Sequence, residues 1–173
     1  MATRVGIALG SNLGSNLGDR LSNIKQARDL LCKLIPGNHA HLQAPVYESK
    51  PLDCPPDSSD FLNTVIEIAY SGLPHELLEH TQKIELQLGR EREHQTHAPR
   101  TIDIDILYFG EQTICEDVLI IPHPGLSQRR FVLQPLADIC PDLILPGDTV
   151  TIAERLHQLD SGEPPLTLVQ SDW

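Results

Sequence analysis

Apolar residues recur along this chain with two different periods, and the switches between them lay out its elements. Thr3 to Leu9 is a short apolar run with β-branched residues, read as a buried strand that Gly10-Ser11-Asn12 ends. From Asp19 the apolar positions Leu21, Ile24, Ala27, Leu30, Leu31 and Leu34 return at helical spacing, and Pro36-Gly37 stops the pattern. Val46 to Ser49 reads as a strand, and Lys50 to Asp60, with three prolines and three aspartates, as a long loop. Phe61 to Ala69 alternates only weakly, which predicts a strand buried on much of both faces. Leu77, Leu78, Thr81, Ile84, Glu85 and Leu88 restore the helical period, opened by Leu73-Pro74 and stopped by Gly89. A polar loop, Arg90 to Pro99, leads into a strand over Thr101 to Phe109, and Gly110-Glu111 turns into Thr113 to Cys115. Ile120 to Pro124 introduces a last loop. Phe131 to Ile139 and Ile152 to Leu159 are short helix candidates.

The order strand, helix, strand, strand, helix, strand is the split pattern of ferredoxin-like α+β folds. The expected architecture is a central, mostly antiparallel sheet with helices packed on one side, three functional loops, and a C-terminal portion packed on that core. At 173 residues, one domain spanning 1–173 is expected.

One strand carries chemistry in its alternation. In Ile102-Asp103-Ile104-Asp105-Ile106 successive side chains point to opposite faces, so the two carboxylates project together with Cα atoms roughly 6.6 Å apart. At that separation they repel by roughly 2 to 3 kcal/mol at an effective dielectric of about 20. A divalent cation would remove the penalty. A half-exposed antiparallel strand whose polar face happens to be acidic would produce the same pattern.

Charge narrows the partners. A formal net charge of −11 argues against a nucleic-acid partner. Five of the nine arginines, Arg90, Arg92, Arg100, Arg129 and Arg130, nevertheless fall within 41 residues of this acidic chain. Bidentate guanidinium forks there suit a small polyanion such as a nucleotide triphosphate, although pairing with Glu91 and Glu93 would also account for them. No stretch approaches the roughly 20 apolar residues that span a bilayer, and the N-terminus lacks a secretory pattern, so a cytoplasmic protein without a membrane partner is expected. Cys32, Cys54, Cys115 and Cys140 are scattered without metal spacing and read as buried free thiols.

Other chemistries find no support. The glycine loop Gly10 to Gly18 lacks both the P-loop ending and the dinucleotide spacing, and there is no nucleophile elbow. A paired-Asp strand flanked by arginines fits metal-assisted transfer of a phosphate group, where the protein positions groups and neutralises charge. A nucleotide hydrolase or a ferredoxin-like nucleotide-sensing module would use the same parts.

Several motifs, taken in order, go further: Gly10-Ser11-Asn12-Leu13-Gly14, Tyr47-Glu48-Ser49, Phe61-Leu62-Asn63, His80-Thr81-Gln82, Ile84-Glu85, Gly89-Arg90, Pro99-Arg100-Thr101-Ile102-Asp103-Ile104-Asp105-Ile106-Leu107, Pro122-His123-Pro124, Arg129 and Phe131-Val132-Leu133-Gln134-Pro135-Leu136. Together they resemble the 6-hydroxymethyl-7,8-dihydropterin pyrophosphokinases of folate biosynthesis over most of the chain. The resemblance implies transfer of pyrophosphate from ATP to the pterin hydroxymethyl group, with AMP leaving. It implies that Asp103 and Asp105 hold two Mg²⁺ ions and act in catalysis with Arg90 and Arg92. It assigns Ser49, Leu52, Phe61, Asn63 and Phe131 to the pterin, with Phe61 and Phe131 stacking on its ring and Asn63 at its edge. It assigns Gln82, Glu85, Arg100, His123 and Arg129 to ATP. By residue pattern alone Phe131 reads as core, Asn63 as a strand-start cap and His123 as a loop histidine bonded to backbone. The chain departs from many relatives at His97-Ala98, where Trp-Gly is common, at Gly125, where an arginine is frequent, and in lacking a glycine in the loop Lys50 to Asp60. A monomer is expected.

Overall fold

A computed structural model describes residues 1–12, 18–35, 41–50, 59–89, 101–160 and 162–173. Apolar alternation in three long strands builds the centre: β1 (Thr3–Ser11), β4 (Phe61–Tyr70) and β5 (Asp103–Phe109). Two shorter strands, β2 (Leu42–Gln43) and β3 (Val46–Ser49), precede β4, and β8 (Thr167–Gln170) closes the set. They form one sheet in the order β5-β1-β4-β3-β8, with β2 also on β4, and every pairing is antiparallel. A separate hairpin, β6 (Ile114–Glu116) and β7 (Leu119–Ile121), follows β5.

Helix α1 (Arg20–Cys32) starts where the Asp19 carboxylate accepts the Ser22 N–H at 2.8 Å, a cap that holds Asp19 below the usual carboxylate range. Helix α2 (Pro74–Gln87) opens on proline and ends before Gly89, whose φ of 93° is the left-handed conformation that glycine adopts readily. Ile24, Ala27 and Leu31 of α1 join Leu77, Ile84 and Leu88 of α2 in one core with Val5, Ile7, Leu9, Ile66, Ile104 and Ile106. Edge-to-face contact of Tyr70 with Phe109, centroids 6.2 Å apart, extends this core.

Helices α3 (Arg130–Ile139) and α4 (Ile152–Gln158) lie on the other face, where Val132, Leu133, Leu136 and Ile152 pack with Val65, Leu107 and Tyr108. The expectation of helices on one side is therefore corrected. Its physical reason is a β-bulge: Ile7 faces Ile106 while Gly6 faces Tyr108, so Leu107 is the extra residue and both Leu107 and Tyr108 turn away from the α1/α2 core. A second apolar patch results, and α3 covers it.

Other boundaries differ in instructive ways. Strand β1 runs through Gly10 to Ser11 rather than stopping at Leu9, because Gly10 and Ser11 keep partners on β4. The stretch expected to open a loop at Ile120 is strand β7. β8 and the two-residue β2 carry too little apolar pattern to be read from sequence. Cys140 is buried as expected, whereas Cys32 is half-buried and Cys115 exposed, and Cys54 lies outside the described residues. Among the described residues no helix is long and apolar enough to cross a membrane.

Candidate active site

From Gly6 to Gly10, β1 places the small residues Gly6, Ala8 and Gly10 on the α3 side of the sheet, and this strip shapes the site. At one end Gly6 lies between Tyr108 and Glu67, and the Tyr108 ring crosses it so closely that a Cβ on Gly6 would fall 2.1 Å from Tyr108 Cε1. The Tyr108 hydroxyl donates to Glu67, which also accepts from Arg4 at 2.9 Å and from the Cys140 thiol at 3.5 Å. Burial pushes the Tyr108 hydroxyl well above its ordinary pKa, and the bond to Glu67 adds to it. This end is closed.

At the other end the same pattern repeats without the ring. Gly10 lies between Asp103 on β5 and Asn63 on β4, and Asn63 in turn faces Tyr47 on β3. Among the described residues a Cβ on Gly10 would meet only Asn63 Oδ1 at 3.4 Å and the Leu62 carbonyl at 3.9 Å. The row below reads Asp105, Ala8, Val65. Strand spacing puts the Asp103 and Asn63 backbones roughly 10 Å apart, and among the described residues Asn63 Oδ1 is the one side-chain atom within 4 Å of where a Cβ on Gly10 would lie.

Each wall is held by its own contacts. Asp103 and Asp105 are half-buried on β5, and Ser11 Oγ donates to the Thr101 carbonyl at 2.5 Å, fastening the chain just before them to the end of β1. The Thr101 hydroxyl is buried without a hydrogen-bond partner among the described residues. Across the floor, the nearly buried Asn63 donates through Nδ2 to Ser49 Oγ at 2.7 Å, so Oδ1 is the atom directed over Gly10. Phe61, half-buried, opens β4 opposite Ser49. Lys50 and Asp60 pair at 3.2 Å, and Arg20 reaches both Glu48 and the Asp60 carbonyl, so the two chain ends flanking residues 51–58 are tied together.

The remaining wall comes from the start of α3. His123 follows the cis Ile121–Pro122 bond and donates its backbone N–H to the Leu107 carbonyl at 2.8 Å. Its Nδ1 accepts the Gly125 N–H at 3.1 Å, which assigns the ring proton to Nε2 when the ring is neutral. Burial and then the Arg129 charge hold His123 below the ordinary histidine pKa, against a smaller opposing effect of Asp103. Arg129 caps α3, and its guanidinium lies over the Phe131 ring.

Thus Ser49, Phe61, Asn63, Asp103, Asp105, His123, Arg129 and Phe131 surround the half of one sheet face that the described residues leave uncovered, or stand at its edges. Gln82 is exposed on α2, and Glu85 is 7% exposed with its carboxylate accepting the Ile104 N–H at 2.8 Å. Leu52, Arg90, Arg92 and Arg100 lie outside the described residues. Sequence reasoning missed the floor itself. The alternation Gly6-Ala8-Gly10 was its signal, masked because the intervening Val5, Ile7 and Leu9 dominate the run.

A solved Plasmodium falciparum HPPK-DHPS chain (the S436F/A437G/A613T triple mutant with STZ-DHP) superposes with a TM-score of 0.71 over 91% of this chain and 43% of that one, at 16% identity. This chain thus spans less than half of that two-part protein, and at such identity the likeness shows the ferredoxin-like fold alone. Two curated proteins named 2-amino-4-hydroxy-6-hydroxymethyldihydropteridine pyrophosphokinase are much nearer in sequence. The Bacillus subtilis (strain 168) protein is 46% identical over 140 residues, covering 78% of this chain and 76% of its own length. The Pseudomonas aeruginosa protein is 42% identical over 146 residues, covering 84% and 86%. The chain is a diphosphotransferase. It belongs to the 7,8-dihydro-6-hydroxymethylpterin-pyrophosphokinase (HPPK) family, whose model matches residues 7–141, and so acts in folate synthesis by pyrophosphate transfer to hydroxymethyldihydropterin.

Proposed function

We propose that the pyrophosphate donor is ATP, that transfer depends on Mg²⁺, and that the two substrates meet over Gly10. The row Asp103, Gly10, Asn63 supports this reading best: carboxylates stand at one end of a glycine floor and an oriented amide with flanking aromatics at the other. Phe61 and Phe131 would stack on the flat pterin, and Asn63 Oδ1, aimed by Ser49, would accept a hydrogen bond from its N–H edge. His123 would donate from Nε2 to a phosphate oxygen, and Arg129, with Arg90, Arg92 and Arg100, would neutralise phosphate charge. In the reaction the hydroxymethyl oxygen attacks the β-phosphorus, the bond from that phosphorus to the α–β bridging oxygen breaks, and AMP leaves with that oxygen. The hydroxyl proton passes to solvent.

The donor set fits the cation. Asp103 and Asp105 offer two hard oxygen ligand groups on one face of β5. Mg²⁺ is commonly held by one or two carboxylates plus water and substrate phosphates. When bound, it would offset the repulsion of the two carboxylates and the charge of the triphosphate. The reading carries with it a cytoplasmic monomer.

The test is product analysis with purified protein, ATP and Mg²⁺, with and without 6-hydroxymethyl-7,8-dihydropterin. Pterin-dependent release of AMP is expected. Release of ADP, or AMP release indifferent to the pterin, would overturn the proposal.

A further inference from the structure

Among the described residues β5 is the outer strand of the sheet, with β1 on one side and no strand on the other. Such an edge leaves alternate N–H and C=O groups unpaired and prone to fray. In an antiparallel ladder residues alternate between those bonded to the partner strand and those turned outward. Ile104 is the outward one here, because its N–H donates to Glu85 Oε1 at 2.8 Å rather than to Leu9, which faces it on β1. Asp103 and Asp105, opposite Gly10 and Ala8, are then the residues whose backbone bonds run inward to β1. The acceptor comes from α2, whose buried residues are otherwise Pro74, Leu77, Thr81 and Ile84. A carboxylate only 7% exposed is a costly member of that face unless it is hydrogen-bonded.

From this clamp we infer that Glu85 is a positioning residue for the aspartate pair. It acts through the backbone between Asp103 and Asp105, holding the edge strand flat so that both carboxylates stay directed at one cation-binding region. The inference rests on the reading of Asp103 and Asp105 as Mg²⁺ ligands, and it gives Glu85 a role distinct from the direct nucleotide contact that the family resemblance implies. Supports of this kind, one step removed from the ligands, typically change metal affinity 10- to 100-fold.

Two measurements test it. In the unaltered protein, hydrogen exchange read by NMR should show the Ile104 amide protected to the same order as those of Asp103 and Asp105. Exchange at the rate of an open edge amide would overturn the clamp without any variant having to fold. The second is Mn²⁺ binding followed by electron paramagnetic resonance, with a non-hydrolysable ATP analogue present. Glu85→Gln, which retains an acceptor oxygen for Ile104, should bind Mn²⁺ within about threefold of the parent, whereas Glu85→Leu should lose about 10- to 100-fold. Equal losses in both variants, or none in Glu85→Leu, would overturn the inference. Asp105→Asn serves as the control: if it leaves Mn²⁺ binding unchanged, the metal reading itself has failed, whereas a loss there with none in Glu85→Leu condemns only the positioning role.

Discussion

The guanidinium of Arg129 sits 5.8 Å from the centre of the Phe131 ring, so the cation at the start of α3 and the aromatic two residues on form one unit. Gly125 makes room for it. A Cβ at Gly125 would fall 2.9 Å from both Cζ and Nε of Arg129. Where relatives often carry an arginine, this chain instead lays Arg129 across a glycine. Gly125→Ala should displace the guanidinium from the ring, costing about 0.5 to 1 kcal/mol of contact. Steady-state KM for ATP or the pterin should rise two- to fivefold while thermal unfolding stays unchanged. A Tm drop of several degrees with unchanged KM would contradict this.

Asp105→Asn should remove Mg²⁺-dependent turnover by roughly a thousandfold or more, since a cation at the phosphates contributes several kcal/mol to the transition state. The fold should survive, because Ile104 and Ile106 on the opposite face anchor the strand. Calorimetry alongside the AMP assay checks both halves of the expectation.

Gly6→Ala should destabilise without touching the reaction site. The added carbon would press on the rigid Tyr108 ring at 2.1 Å, and overpacking of this kind costs about 1 to 3 kcal/mol or more. Urea unfolding should register the loss, and combining Gly6→Ala with Tyr108→Leu should cost less than the two single changes added together.

Tyrosine ionisation supplies a pH test. Burial, followed by the bond to Asp138 at 2.6 Å, pushes Tyr47 up to about 12, and burial also raises Tyr70 and Tyr108. The folded protein therefore keeps its phenols protonated at pH 10, where the unfolded chain, with phenols near their ordinary pKa of about 10, has begun to lose them. Because the unfolded state binds fewer protons there, stability falls as pH rises from about 10 towards 12. Ultraviolet titration should show little phenolate at pH 10 in the native protein, and Tyr47→Phe should remove a component with its midpoint near 12.

What could be read from the sequence followed from periodicity and side-chain chemistry. Ile24, Ala27 and Leu31 announced α1 because a helix must bury one stripe, and Ile104 with Asp105 announced the two-faced strand because a strand must alternate. The second helical layer was hidden because a one-residue bulge at Leu107 reverses the alternation in mid-strand, something no period reports. Asn63 and Ser49 were marked only by resemblance. Their hydrogen bond joins residues 14 positions apart, and its geometry depends on the register of β3 against β4. Glu85 keeps the helical period in the sequence, and the family resemblance assigns it to ATP. Its bond to the Ile104 N–H, on another element, has no signal in the helical period.

The strip Gly6-Ala8-Gly10 has a thermodynamic consequence besides its shape. A surface made of backbone and one methyl group has no rotamers to freeze, so substrates settling on it would cost no side-chain entropy beneath them. Adjustment on binding would then fall to the walls, because the strip itself is backbone held in the antiparallel ladder of β5, β1 and β4.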